Sequence, residues 1–542
     1  MNISLVSIIA SGLLGSCVLI IALLITTREQ GDIQSLPGPS ATISSWIWGH
    51  ELLVFQHAAA QMYSIWARSF GGLFKIKAAL FHPDIIVATD YSAVYHILAN
   101  SHLYVKSPAF RPPIKNLLGK GVLWAEGDDW HRQRKILGPA FSTESVKEMT
   151  SAIHECAERL EARLTNLILL DSTPATDGIW LNIVPFISAC TLDIIGTVAL
   201  SHSFSAQSVR PNDPHSDAAQ ISSSWTNHVN VSLKPFAFLA PIVVRAIPTV
   251  TRAPLPLMQS QGVVKTIVRR IGRKILEREQ SAFDKNNSSG RKSPTKDGPA
   301  QGKDIISVLL RARRVGKAVY EQLSDEQILD NISTFTMVGH ETTGGSLVFI
   351  LWELARQPAI QNRLRKEVLS YGRDLSYDGI QKLEFLDAVV KEGLRLHPAS
   401  PQTERLALQD DSIPLSNSLP GIGATFRVKR GQVIHIPFTP MHTNPGVWGP
   451  SASVFDPTRW LEPRDLAPLP HGWSGLLTFC DGPRNCLGWR LAVLEIKIIL
   501  ATLVRSIVFS DTGVHVEEKI SPTLQPVVDG RGGNLPLRLK LV

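Results

Sequence analysis

A mainly α fold with a smaller β region is what this sequence predicts. Two observations carry the prediction. Stretches with helical spacing, at 53–69, 146–170, 179–200, 265–278 and 325–356, are long and numerous. The β-like runs are short by comparison, at 73–76, 85–88, 426–437 and 520–542. A chain of 542 residues can hold several small domains or one large one. Its apolar share of 44% and charged share of 19% are those of a folded protein.

Charge and cysteine usage narrow the function classes. The net charge of +8 is modest at this length, and no dense Lys/Arg run alternates with aromatics, which excludes nucleic acid as the partner. A mildly basic surface suits anionic lipid or an acidic protein. Cys17, Cys156, Cys190, Cys480 and Cys486 are widely spaced apart from the last pair. That is no disulfide framework, and it suits a reducing compartment.

Residues 3–25 carry no charge. At about 1.5 Å per residue they can cross a hydrocarbon core of roughly 30 Å. A cleaved signal peptide wants basic residues before a shorter apolar run; here none precede, and Arg28 follows. The expectation is a membrane anchor with its N-terminus in the lumen and the rest of the chain in the cytosol. Asn2-Ile3-Ser4 is a sequon on the luminal side. Leu36-Pro37-Gly38-Pro39 is a stiff breaker between anchor and globule. Helix is expected over 53–69, a Pro- and Gly-punctuated loop over 108–123, and helices over 146–170 and 179–200. Residues 235–244 are apolar, bounded by prolines and too short to span a bilayer. They read either as core or as a loop dipping into the membrane surface, with Lys234 and Arg245 at the headgroups. A basic helix at 265–278 precedes a polar surface linker at 284–303. Residues 426–437 alternate like a strand pair about Lys429-Arg430-Gly431, and 520–542 read as a hairpin about residues 529–533.

Four clusters of residues carry chemistry. Trp130 and Arg134 share a helix face, which on spacing alone is a cation–aromatic pair. Ser324 caps a long helix with Asp325 and Glu326 in its first turn. Within that helix, Gly339-His340-Glu341-Thr342-Thr343 sets an acid beside an alcohol: the hydroxyl can hold an oxygen species and the carboxylate can relay protons. On the residues alone, the threonine equally suits a bond back to the preceding turn. His340 has neither a second His nor a Cys at ligand spacing, which argues against a metal there. Glu392 and Arg395 share a helix face that Pro398 soon ends. Finally, Cys486 sits at the start of an apolar helix, in the loop 479–488. A thiolate there is favoured by the helix dipole and free N–H groups. Gly482 and Gly488 let the backbone approach a flat ligand, and Arg484 can bind a carboxylate on it.

Phe479, Gly482, Arg484, Cys486 and Gly488 match all five fixed positions of F-x-x-G-x-R-x-C-x-G. This frame resembles the haem-binding loop of the cytochrome P450 family. The resemblance covers residues 37–542 in family order, and implies a single domain with the mostly helical haem-thiolate fold. It makes Cys486 the axial iron ligand, and Trp130, Arg134, Arg405, Phe479, Arg484 and Gly488 cofactor-binding residues. It makes Glu341 and Thr342 the oxygen-activating pair. It joins Glu392 and Arg395 to Arg459 in a buried ion network. Two departures stand out: Cys480, a second thiol in the loop, and Val338, where a small residue is usual.

The organisation implied is an anchor at 1–28, a hinge at 29–50 and a catalytic domain at 51–542. The function implied is a monooxygenase using haem b (iron protoporphyrin IX), with electrons from NADPH through NADPH–cytochrome P450 reductase at the endoplasmic reticulum membrane. The alternatives are an isomerase or dehydratase at the same site, or a haem-binding sensor without turnover. Retention of Glu341 and Thr342 favours oxygen chemistry. Gly-Pro-Arg-Asn-Cys-Leu-Gly and His442-Thr443-Asn444-Pro445 resemble fungal members that tailor secondary metabolites. A hydrophobic substrate is expected, a neutral terpenoid ahead of a fatty acid or xenobiotic.

Overall fold

A computed structural model describes residues 32–42, 47–79, 82–171, 178–209, 213–246, 250, 255–288, 305–314, 322–372, 376–462 and 472–542. The predicted span at 3–25 lies outside the described residues. Among the described residues, no helix is long and apolar enough to cross a membrane.

Ser324 opens the helix against which much of the molecule is assembled. Its hydroxyl accepts from the Gln327 N–H at 3.2 Å, and the Gln327 side chain accepts from the Ser324 N–H at 3.2 Å. This reciprocal cap satisfies two N–H groups that a helix start leaves free. Helix Asp325–Arg356 then passes through the main core, where Leu347 to Leu351 are buried without interruption. Helices Val184–Leu200, Pro256–Ser288, Glu384–Leu396 and Trp489–Ser506 pack on it. At Gly339 the Val184–Leu200 helix leaves no room for a side chain: a Cβ there would lie 2.8 Å from the Ile195 side chain.

The strands lie in separate small sheets. Strands β1 (Leu73–Ile76), β2 (Ile85–Ala88), β3 (Tyr104–Lys106), β5 (Gln402–Ala407) and β8 (Val433–Pro437) form one, in the order β1-β2-β8-β5-β3. Strands β4 (Ile179–Asn182), β9 (Ile507–Asp511) and β13 (Pro536–Leu541) form a second, with β13 in the middle. Strands β10 (Glu517–Ile520), β11 (Leu524–Val528) and β12 (Arg531–Gly532) form a third, and β6 (Asp411–Leu419) pairs with β7 (Gly423–Val428). A mainly α molecule with a smaller β part is the result.

Several expectations about elements are corrected. The helix predicted over 53–69 is two helices, Glu51–Gln56 and Gln61–Phe70. Ala60 between them is left-handed at φ 58°, and the Ala59 N–H is held by the Glu518 carbonyl at 2.7 Å, so a distant strand pins the break. The loop predicted at 108–123 contains helix Arg111–Leu117, whose prolines sit in the first turn where no N–H is missed. The helix predicted from 179 starts at Val184, with Pro185 in its first turn; residues 179–182 are β4, drawn into a sheet by β13. Residues 426–437 are extended, but the two strands are not partners: β7 pairs with β6, and β8 lies between β2 and β5. The terminal hairpin shrinks to β11 and β12, and β13 leaves for the other sheet. The linker predicted from 284 begins as helix, which runs to Ser288; 289–303 lie outside the described residues.

Two segments that the sequence reading set near a membrane are described. The Leu36–Pro39 breaker is docked: Leu36 is buried, and the Lys75 N–H of β1 bonds to the Pro37 carbonyl at 2.9 Å. Residues 235–246 fold as a short 3-10 turn and a helix with a divided character. Ile242 and Val244 are buried, Phe238 meets the rings of Trp48 and Phe55, and Phe236 is 82% exposed.

Candidate active site

The loop 479–488 is held from within. The Cys486 N–H bonds back to the Phe479 carbonyl at 2.8 Å, and the Cys480 N–H to the Leu477 carbonyl at 2.7 Å. Gly482 is left-handed at φ 66°, and a Cβ there would collide with the Leu98 carbonyl, so this turn requires glycine. Cys480 takes φ 60° without that freedom. His442 anchors the loop's base, accepting from the Leu477 N–H at 2.9 Å.

Cys486 is exposed on a cavity of about 330 Å³, bordered also by Arg134, Phe141, Asn485 and Trp489. Burial pushes the thiol up; the Gly488 N–H and Arg134 oppose this, and Cys480 adds to it. A bound cation would reverse that balance, since a coordinating thiol is deprotonated outright. No group of three His, Cys, Asp or Glu poised for a metal occurs among the described residues. One thiol cannot hold a bare ion, so it suits a metal whose other donors come with a cofactor.

Basic residues gather around this loop. The Arg484 guanidinium lies 4.0 Å from the Trp130 ring centre, and that of Arg134 lies 5.7 Å from it. Arg134 donates to the Asn485 carbonyl at 2.8 Å, and Arg405 to the Glu404 carbonyl at 3.1 Å. Neither arginine has a carboxylate partner among the described residues. Arg484 pairs with Glu126 and donates to the Ala125 carbonyl at 2.8 Å. Burial lowers Arg484 to about 10 despite Glu126, with Arg405, Arg134 and Arg111 adding to the effect. Part-buried guanidinium groups without counter-charges favour an anionic ligand. The residues present fit a haem, with its ring metal and paired carboxylates. Sequence reasoning missed Glu126 and Asn485. Asn485 lay inside the loop already singled out, and Glu126 lies one helical turn before Trp130.

On helix Asp325–Arg356, the Thr342 hydroxyl donates to the Val338 carbonyl at 2.8 Å. Glu341 Oε1 lies 3.0 Å from His340 Nε2 and accepts from the Ser188 hydroxyl at 3.4 Å. Phe335 meets Phe141 with ring centres 5.5 Å apart. Behind this helix the predicted ion network is assembled. Arg395 makes two bonds of 2.8 Å to the Glu392 carboxylate. Arg459 adds one at 2.8 Å, the Trp460 indole one at 2.9 Å and the Asp456 N–H one at 2.8 Å. Glu392 and Arg395 are wholly inaccessible. These are buried groups, not the surface bridge that their spacing alone allowed.

The Cytochrome P450 family model matches residues 39–527. The chain belongs to the cytochrome P450 family. Curated relatives agree. Cytochrome P450 monooxygenase 205 of Postia placenta is 28% identical over 94% of this chain and 93% of its own length. Cytochrome P450 monooxygenase claO of Ampulloclitocybe clavipes is 31% identical over 89% of this chain and 88% of its own. A ganoderic acid synthetase of Ganoderma lucidum is 28% identical over 85% and 86%. The chain is thus a cytochrome P450 monooxygenase. Membership in the cytochrome P450 family implies a haem cofactor, a redox partner that supplies electrons, and a hydrophobic substrate.

Proposed function

We propose that this P450 inserts one oxygen atom into a neutral apolar carbon skeleton, a terpenoid first among secondary metabolites. The observation that carries this is the composition of helix Asp325–Arg356. It has no Lys or Arg before Arg356, and it offers Phe335, Val338 and small polar side chains to the site. A substrate carboxylate buried against it would lack a partner, at considerable cost. The likeness to a ganoderic acid synthetase supports a biosynthetic role.

Haem b would be held by the Cys486 thiolate, with Arg405, and Arg134 and Arg484 near Trp130, receiving its carboxylates and Phe479 and Gly488 shaping the loop. When bound, it supplies O2 activation and transfer of one oxygen atom to carbon, the other leaving as water with two electrons and two protons. Those electrons come from NADPH through a separate reductase. Thr342 keeps its lone pairs available while its proton is bonded to the Val338 carbonyl, so it can orient a polar partner at the site. Glu341 moves protons toward Thr342 from the side facing Ser188. Val338, one turn before Thr342, narrows the same face. We place the catalytic domain, 51–542, on the cytosolic side of the endoplasmic reticulum, behind an anchor at 1–28 and a hinge at 29–50.

A substrate-binding spectral screen tests the reading. Neutral terpenoids are expected to shift the haem spectrum and to turn over. Val338→Ala is expected to change which carbon is oxidised rather than abolish turnover. Long-chain fatty acids that bind and turn over better than every neutral terpenoid tried would refute it.

A further inference from the structure

His340 is a buried group that the account above leaves without a task. Its side chain is 1% accessible. Its Nδ1 lies 2.6 Å from the Thr336 carbonyl, four residues back on the same helix. A carbonyl only accepts, so Nδ1 carries a proton. Its Nε2 lies 3.0 Å from Glu341 Oε1. A bare ring nitrogen and a bare carboxylate oxygen are both acceptors and do not bond. With Nδ1 already protonated, this contact needs one further proton between Nε2 and Oε1.

The contact is also not a by-product of helix geometry. Neighbouring positions on a helix do not face one another. Here both side chains turn toward one point, where Ser188 of the Val184–Leu200 helix adds its hydroxyl. A cavity of about 20 Å³ adjoins them, lined by Ser188, His340, Glu341 and Gln525 among others. That volume holds about one water, and the lining offers it several polar partners. His340 and Glu341 are the titratable residues of that lining.

We propose that His340 is a positioning residue for Glu341, holding one proton in reserve between Nε2 and Oε1. The proton that Glu341 passes toward Thr342 is this reserved one, and water in the adjoining cavity relays its replacement. No electrons move in either step, and one proton enters for each that leaves. The inference rests on the assignment of Glu341 and Thr342 as the proton-delivering pair.

Two measurements on the holoenzyme test it. The first is the ring ¹⁵N signal of His340, read in the diamagnetic reduced form with carbon monoxide and assigned by its loss in His340→Gln. Nε2 is expected to show a protonated or strongly hydrogen-bonded nitrogen, and to become a free acceptor nitrogen in Glu341→Leu. The second is product formed per NADPH consumed. In His340→Gln it is expected to fall by about tenfold or more, with haem content unchanged. A free acceptor Nε2 in the unaltered enzyme, or unchanged coupling in His340→Gln, overturns the proposal. The assignment beneath it fails separately: Glu341→Gln would then couple as well as the unaltered enzyme, whatever the nitrogen signal shows.

Discussion

Cys480 and Cys486 belong to one loop, and the backbone treats them differently. Cys486 opens into the cavity beside Arg134, while Cys480 sits in a left-handed turn, 4.0 Å from Arg405. Cys486→Ser is therefore expected to abolish the thiolate-type absorption of the reduced protein with carbon monoxide, and Cys480→Ser to retain it. Loss of that band in Cys480→Ser alone would reassign the ligand. Thr342 makes a second case at this scale. Its hydroxyl is bonded to Val338, but removing it deletes the polar group of that face. In Thr342→Ala, NADPH consumption is expected to continue while product falls and hydrogen peroxide accumulates. Equal product yield would show that the hydroxyl has no part in coupling.

At the scale of elements, the ion network joins helix Glu384–Leu396 to the turn Pro457–Trp460. Glu392→Ala leaves Arg395 and Arg459 buried without their counter-charge, a loss of roughly 3–5 kcal/mol. Little holoprotein is expected, and normal haem content after purification would contradict this. His397, just past that helix, ties it to β10 and to helix Asp325–Arg356. Its Nε2 lies 3.0 Å from Glu353, its Nδ1 lies 3.4 Å from Glu518, and its ring stacks on Phe349. Burial opposes its charge, but Glu518 and Glu353 together raise it to about 9. A histidine raised on folding stabilises fully below its ordinary value of 6.5 and loses that contribution as pH rises through about 9. Melting temperature is expected to fall between pH 7 and 10, and the fall to flatten in His397→Gln. An identical slope in the variant would assign the loss elsewhere. These elements also show what a sequence discloses. Helix Asp325–Arg356 and the loop at 479–488 were legible because their signals, a cap and a five-residue frame, are local. Strand partners were not: nothing within 179–182 says that residues 536–539 will pair with them. The same holds for Glu126 and the cavity by Ser188, which arise where distant segments meet.

On the scale of the whole molecule, the function proposed here divides membrane contact between an anchor at 1–28 and the segment 235–246. Deleting 1–28 is expected to leave the catalytic chemistry intact and to weaken vesicle binding only in part, because Phe236 remains exposed with Lys234 beside it. Flotation with anionic vesicles measures this, and complete release without detergent would rule out the second contact. The sheet order β4-β13-β9 has a consequence for biosynthesis. The strand between the other two is the last to be made, 354 residues after Asn182, as 536 minus 182 gives. At roughly 5–20 residues per second, a ribosome needs on the order of 20–70 s to deliver it. Throughout that interval β4 is an unpaired edge bearing Trp180, a template for wrong pairing that a nascent-chain chaperone would have to shield.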